Sequence, residues 1–320
     1  MNMGDFPVRV TKITPVADTI KRFRLERADG GPLPVFSGGA HVVVSMNDNG
    51  QMRRNAYSLM SDPADPSAYE ISVQKAEGSR GGSVFLHERL KEGDVLSIGA
   101  PVNLFSPDWR GRKHILIAGG IGITPFIAMM AQFDRAGIPF ELHYAVRTRS
   151  RGAYLDDLAA RYGASRVKVY IGEDGARIPL EDILVRQPLG THLYVCGPDR
   201  MIDGVIEAGI DAGWPATSLH AERFLTPPPG KPFTVDLTRS RKTVPVGAHE
   251  SILEALEAAG VDAPYLCRGG ACGQCETGVA ACEGVILHND VYLSEEEKSE
   301  GRKIMICVSR IEGPRVALEL

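Results

Sequence analysis

Hydrophobic and polar positions follow three successive rhythms along the chain. Up to about Pro107, the stretches HVVVSM (41–46), NAYSLMS (55–61), YEISVQKA (69–76) and DVLSIGAP (94–101) are β-branched or alternate every second residue. Gly and Pro punctuate them, and many short strands of this kind predict a barrel. From about Trp109 to Phe224 strands and helices take turns. HILIAGG (114–120) predicts a buried strand, and TPFIAMMAQFDRAG (124–137) predicts a helix with Thr124 near its cap and Gly137 at its end. FELHYAV (140–146), VKVYIG (167–172) and HLYVCGP (192–198) predict further strands, and DRMIDGVIEAGIDAG (199–213) an amphipathic helix. This alternation implies a parallel sheet with helices on both faces. Beyond it, FTVDL and KTVPV alternate like strands, and ESILEALEAAG (250–260) has apolar residues at helical spacing with Gly260 as a stop.

The break between the second and third rhythms is FLTPPPGKPF (224–233), whose three consecutive prolines make a semi-rigid spacer. The expected organisation is therefore 1–107, 108–225, a proline-rich linker at 226–232, and 233–320. No internal repeat is visible. At 320 residues and 43% hydrophobic content the chain can bury two or three proper cores. Its most apolar run, HILIAGGIGITPFIAMMA, contains glycines and Pro125, which argue for strand, turn and helix instead of a membrane span. The N-terminus MNMGDFPVRV has no basic stretch followed by an apolar run, so no signal peptide is expected. A soluble cytoplasmic protein is the expectation.

Charge is uneven. From Phe233 onward there are 14 acidic and 9 basic residues, a net of −5, whereas the remainder carries +1. An acidic C-terminal domain argues against nucleic acid and fits docking on a basic protein surface; ordinary solubility is the plainer explanation.

Three of the six cysteines fall in one glycine-rich stretch, YLCRGGACGQCETG (265–278). Disulfides, a zinc site and an iron–sulfur cluster compete for them. Disulfides need an oxidising compartment, and structural zinc sites repeat closely spaced pairs. Here Cys267, Cys272 and Cys275 are spaced C-x4-C-x2-C, with a lone Cys307 downstream. That is the plant-type [2Fe–2S] spacing. Cys282 breaks the spacing and reads as a small buried residue. Between strand and helix, GGIGITP (119–125) offers backbone N–H groups to a phosphate, although plain tight turns share this pattern and the full dinucleotide fingerprint is missing.

In order along the chain, RNAYSL (54–59), GGIGITP with CGP (196–198), and CRGGACGQC with MIC (305–307) resemble the motifs of the ferredoxin–NADP reductase superfamily. Within it, the chain resembles over its full length the phthalate dioxygenase reductase-like flavin and iron–sulfur oxygenase reductases. One departure stands out: the family motif is R-x-Y-S, and here Tyr57 falls one position later. The resemblance implies an N-terminal flavin-binding β-barrel, a Rossmann-like NAD-binding domain and a C-terminal β-grasp ferredoxin domain. It implies FMN, NADH and a [2Fe–2S] cluster held by Cys267, Cys272, Cys275 and Cys307.

By the same resemblance, Tyr57 lies against the flavin ring, Ser58 bonds near its N5, and Arg54 pairs with phosphate. SRGGS (79–83) leads into the helix VFLHERL, and Arg80, Gly81, Gly82 and Ser83 take the flavin phosphate. Asn55, Ala56, Val73 and Lys75 complete that set. Gly119, Gly120, Gly122, Thr124, Gly197 and Pro198 line the nicotinamide site, with Arg147 at the ribose-selecting turn. Cys196, Glu222 and Phe224 sit near the reacting ring. FMN is expected over FAD, because EGSRGGS suits a phosphate terminus and no separate adenine-binding segment is visible. The arginines of RTRSRGAY (147–154) suit either a 2′-phosphate or a solvated loop; the family leans to NADH. The partner implied is a Rieske-type terminal oxygenase, reached by a monomeric reductase. A haem (P450-type) monooxygenase as acceptor, and a non-enzymatic redox sensor, are the alternatives.

Overall fold

The computed structural model describes residues 5–48 and 50–320. By their contacts these form two compact units. One holds residues up to 46 with 57–79 and 83–223; the other holds 47–56, 80–82 and 224–320.

The first sheet is built from β1 (Phe6–Ala17), β2 (Ile20–Arg27), β3 (Ala40–Asp48), β4 (Gln51–Ser58) and β5 (Tyr69–Gln74). After the short helix α1 (Gly82–Glu88) come β6 (Val95–Ile98) and β7 (Val102–Asn103). Strand order is β4-β3-β6-β1-β2-β5, with β7 on β3. β1 runs antiparallel to β2 and β6, and β2 to β5. Side chains alternate across a strand, so Val8 and Val10, Phe23 and Leu25, Val42 and Val44, and Ile71 and Val73 meet in one core.

The second sheet is parallel. Its elements are β8 (Lys113–Gly119), α2 (Thr124–Ala136), β9 (Phe140–Val146), α3 (Leu155–Tyr162), β10 (Val167–Ile171), α4 (Leu180–Val185), β11 (Thr191–Cys196), α5 (Asp199–Asp211) and β12 (Leu219–Glu222). The order is β10-β9-β8-β11-β12, with every pairing parallel. The continuous apolar run in β8 has a simple cause. Leu116 and Ala118 face a core with Phe126, Met130 and Phe133 of α2. Ile115 and Ile117 face the other side, with Ile183 and Leu184 of α4 and Ile202 and Val205 of α5. A sheet covered on both faces needs apolar residues at every position. α2 ends where the sequence predicts, at Gly137, whose φ of 67° is left-handed.

The third sheet contains β13 (Phe233–Leu237), β14 (Lys242–Val246), α6 (Ile252–Ala258), β15 (Glu276–Leu287), α7 (Glu295–Glu300), β16 (Lys303–Met305) and β17 (Arg310–Leu318). Its order is β14-β13-β17-β15-β16. β13 and β17 are parallel and the other pairs antiparallel. α6 starts in a reciprocal cap, where Ser251 accepts from the Glu254 N–H and Glu254 accepts from the Ser251 N–H. It buries Ile252, Leu253, Ala255 and Leu256 in the core of this sheet. It stops at Ala258, two residues before the predicted glycine.

The proline-rich segment has no regular structure, but it is pinned. Buried Arg310 donates to the carbonyls of Lys231, Gly247 and Glu250, and Asn289 donates to that of Thr226 at 2.8 Å. Among the described residues, no helix is long and apolar enough to cross a membrane.

Candidate functional site

The cysteine loop joins α6 to β15. Cys267, Cys275 and Cys307 are buried and Cys272 is partly exposed. The sulfurs of Cys275 and Cys307 stand 3.2 Å apart. The Cys272 thiol donates to Cys267, and the N–H groups of Ala271 and Gly269 also point at that sulfur, the latter at 3.4 Å. Led by the Cys272 contact, these donors lower the Cys267 thiol to about 5. The Cys307 contact lowers Cys275, and Cys272 and Cys307 are each raised by the contact with their partner. Four thiols thus form two pairs, 267 with 272 and 275 with 307. Among the described residues, no three His, Cys, Asp or Glu side chains close on a single ion. Two pairs of soft donors, each with one thiol lowered by contact with its partner, suit a cluster with two metal atoms. Gly273 has no alternative here: its φ is 75°, and a Cβ would stand 2.3 Å from the Tyr292 ring. Cys282 lies on β15 opposite Val316 and packs on the core of its sheet.

The second cluster of predicted residues lies where β8 and β11 end side by side. The chain runs outward from β8 to β9 and β10, then returns to β11 and β12 on the other side. A crevice at such a reversal is the usual ligand site of an open α/β sheet. Here the strand ends are stripped of side chains. A Cβ on Gly122 would stand 2.3 Å from the Cys196 carbonyl oxygen, and one on Gly119 2.6 Å from the Met201 sulfur. Gly197 faces Gly119 backbone to backbone, and Gly120 and Thr124 continue the turn into α2. Cys196 is fully buried, with its thiol pushed up by burial and then by Glu222. Glu222 is its register partner on β12. The residue is only partly covered, yet its Oε2 is enclosed without a hydrogen-bond partner, and burial raises the carboxyl to about 8. Pro198 and Arg147 are exposed at the ends of β11 and β9. Phe224 is 48% exposed and belongs to the second unit.

The third cluster surrounds β4 and the turn before α1. Ser58 is buried and Tyr57 packs on the core of the first sheet. Strand alternation puts Arg53, Asn55 and Tyr57 on one face of β4, and Arg54, Ala56 and Ser58 on the other. Arg54 bonds to Glu257 at 2.8 Å. It is Arg53, which sequence reasoning passed over, that lies on the glycine turn: a Cβ on Gly81 would stand 2.6 Å from Arg53 Nε. Among the described residues that Nε is enclosed and unpartnered, with the Asp48 carboxylate 3.8 Å away, while the Nη2 of the same guanidinium donates to Gln51 at 2.9 Å. Arg80, one residue before Gly81, bonds to Glu254 at 2.8 Å and to the His249 carbonyl. Gly82 is buried at the start of α1. Ser83 accepts from the Ala76 N–H and donates to Ser79. An enclosed guanidinium N–H with no acceptor among the described residues, beside the Gly81–Gly82 turn and a second arginine, fits an anionic group such as phosphate. Val73 has its side chain in the core, leaving only its backbone to a ligand. Lys75 pairs with Glu88 at 2.6 Å on the surface.

A parallel sheet whose switch point is bare glycine backbone, together with three loop cysteines and Cys307 in the same chain, has the parts of an electron-transfer reductase. Residues 235–312 match the family described as the 2Fe-2S iron-sulfur cluster binding domain. Residues 101–219 match the family described as dimethylamine monooxygenase subunit DmmA-like, N-terminal domain. The chain is 43% identical over 317 residues to the carnitine monooxygenase reductase subunit of Acinetobacter baumannii, covering 98% of each. It is 45% identical over 313 residues to the heme-dependent oxidative N-demethylase beta subunit of Ectopseudomonas mendocina, again covering 98% of each. The solved structure of phthalate dioxygenase reductase superposes with a TM-score of 0.89 at 33% identity, covering 99% of this chain and 98% of that one. The chain belongs to the phthalate dioxygenase reductase-like family of oxygenase reductase subunits.

Proposed function

We propose that this protein moves electrons from NADH, through FMN and a [2Fe–2S] cluster, to a Rieske-type terminal oxygenase. The observation that carries this reading is the gathering of Cys267, Cys272, Cys275 and Cys307 into two thiol pairs in a chain whose β8 and β11 end side by side in bare glycine backbone. The reaction balances as NADH plus two oxidised acceptor centres giving NAD⁺, H⁺ and two singly reduced centres. When bound, the flavin takes the hydride's electron pair and the cluster passes electrons on one at a time.

The protein's own groups bind, orient and exclude water. Arg53, Arg80, Gly81, Gly82 and Ser83 hold the flavin phosphate, with Arg53 in the place that the sequence motif suggests for Arg54. Tyr57 supplies apolar contact to the flavin ring, and Ser58 a hydrogen bond beside it. Gly119, Gly122 and Gly197 let the ends of β8 and β11 close backbone to backbone, and the nicotinamide takes the space beside them. Cys196 and Glu222 line that space as neutral groups at pH 7, so neither repels the reduced cofactor. Phe224 would be the aromatic that, by the family resemblance, shields a bound flavin ring. The four sequence segments correspond to a flavin-binding barrel, a Rossmann-like domain, a linker and a β-grasp ferredoxin domain, acting as a monomer.

A haem-dependent oxygenase is the second reading of the acceptor. It is favoured by the 45% identity to a subunit named for heme-dependent oxidative N-demethylation. Purified protein should bleach its flavin with NADH in stopped flow, release FMN on heating, and show a higher kcat/KM for NADH than for NADPH. It should then drive a Rieske oxygenase more weakly as salt rises. Released FAD, an NADPH preference, or turnover only with a haem oxygenase would each overturn the corresponding part.

A further inference from the structure

Glu257, on α6, is the meeting point of two arginines. Arg268 directly follows Cys267 and has a left-handed φ of 53°, a conformation that side chains resist. Its side chain is 5% exposed, lies over the Tyr265 ring at 4.0 Å, and grips Glu257 with both terminal nitrogens. A buried guanidinium needs such a partner, and the forked match to a carboxylate fixes its orientation. The same Glu257 Oε2 also accepts from Arg54 Nη1 at 2.8 Å. Arg54 stands on β4 three residues before Tyr57, in the compact unit that contains the cysteine loop. One carboxylate therefore joins the residue after the first cysteine of the loop to the strand that leads to Tyr57 and Ser58. None of the three is a thiol.

We propose that Glu257 is a positioning residue for electron entry into the cluster: by holding Arg54 and Arg268 together it fixes the cysteine loop to β4, and it offsets cationic charge beside Cys267. This rests on the flavin and cluster reading given above. Net charge around an iron–sulfur cluster sets its potential, so the two halves of the role predict different readouts.

Glu257→Gln keeps the shape and removes the charge. The variant should retain its iron content and visible spectrum and reduce flavin with NADH at the wild-type rate. Its cluster midpoint potential, from a redox titration followed by EPR, should move positive. Cluster reduction after flavin reduction should slow on the order of tenfold. Glu257→Asp, which restores the charge on a shorter arm, should return the potential towards wild type. Arg54→Met cuts only the strand side; it should slow cluster reduction and, by removing a positive charge, move the potential negative, opposite to Glu257→Gln. Wild-type potential and rate in Glu257→Gln would overturn the proposal. Should that variant fail to hold a cluster, a wild-type cluster-reduction rate in Arg54→Met would overturn it instead. A wild-type protein without cluster colour or NADH-driven flavin bleaching would overturn the functional reading itself, a result distinct from any of these.

Discussion

Cys196 and Glu222 are register partners on the neighbouring parallel strands β11 and β12, and both are held in their neutral forms. Enclosure, not a partner, raises the Glu222 carboxyl to about 8 from an ordinary value of 4.5. The folded state therefore keeps a proton that the unfolded chain gives up as pH rises from about 4.5. The stability tied to this group is complete below that value and is lost progressively up to about 8. Glu222→Gln has no proton to lose. Its unfolding free energy should gain on wild type across that window and run parallel above it, by an amount on the order of a few kcal/mol, read from melting curves at each pH. Parallel melting curves from pH 4 to 9 would refute the enclosed carboxyl.

Cys272→Ser removes one soft ligand from the 267–272 pair. Cluster colour should be lost or unstable, whereas NADH should still bleach the flavin and ferricyanide should still take its electrons. Delivery to the oxygenase, and to cytochrome c, should collapse. Cys282→Ser, outside both pairs, should match wild type throughout. Cluster loss from Cys282→Ser, or native oxygenase turnover by Cys272→Ser, would show that the ligand set is misassigned.

Arg53→Met should weaken flavin retention more than tenfold, since a charged hydrogen bond contributes about 1.5–3 kcal/mol. The check is flavin per chain after desalting, followed by a titration with free FMN. Full retention would mean that Arg53 does not hold the phosphate.

Arg310→Met leaves the carbonyls of Lys231, Gly247 and Glu250 without their donor. A loss of about 2–4 kcal/mol is expected, read as a lower denaturant midpoint for the cluster-bearing unit. Proteolysis should also quicken in the proline-rich segment, which Arg310 pins at Lys231. An unchanged midpoint would mean that these bonds contribute little.

Much of this architecture could be read from local pattern. The doubly apolar run in β8, the helix from Thr124 to Gly137 and the strands at 233–237 and 242–246 follow from side-chain period and stop residues, which neighbouring positions settle among themselves. β15 was not legible in this way. It is long, mostly exposed and bulged, so its burial pattern Glu276–Leu287 carries no clean alternation.

The cysteine spacing by itself pointed to an iron–sulfur cluster domain, because soft ligands at set intervals are a local property. Which arginine faces the glycine turn was decided only in the folded chain. Arg53 and Arg54 are adjacent and chemically identical, and strand alternation sends one over Gly81 and the other to Glu257, 203 positions away. The enclosure of Glu222 and the three carbonyls gathered by Arg310 have the same origin. Burial and long-range pairing depend on which distant segments pack together, and no local period encodes that.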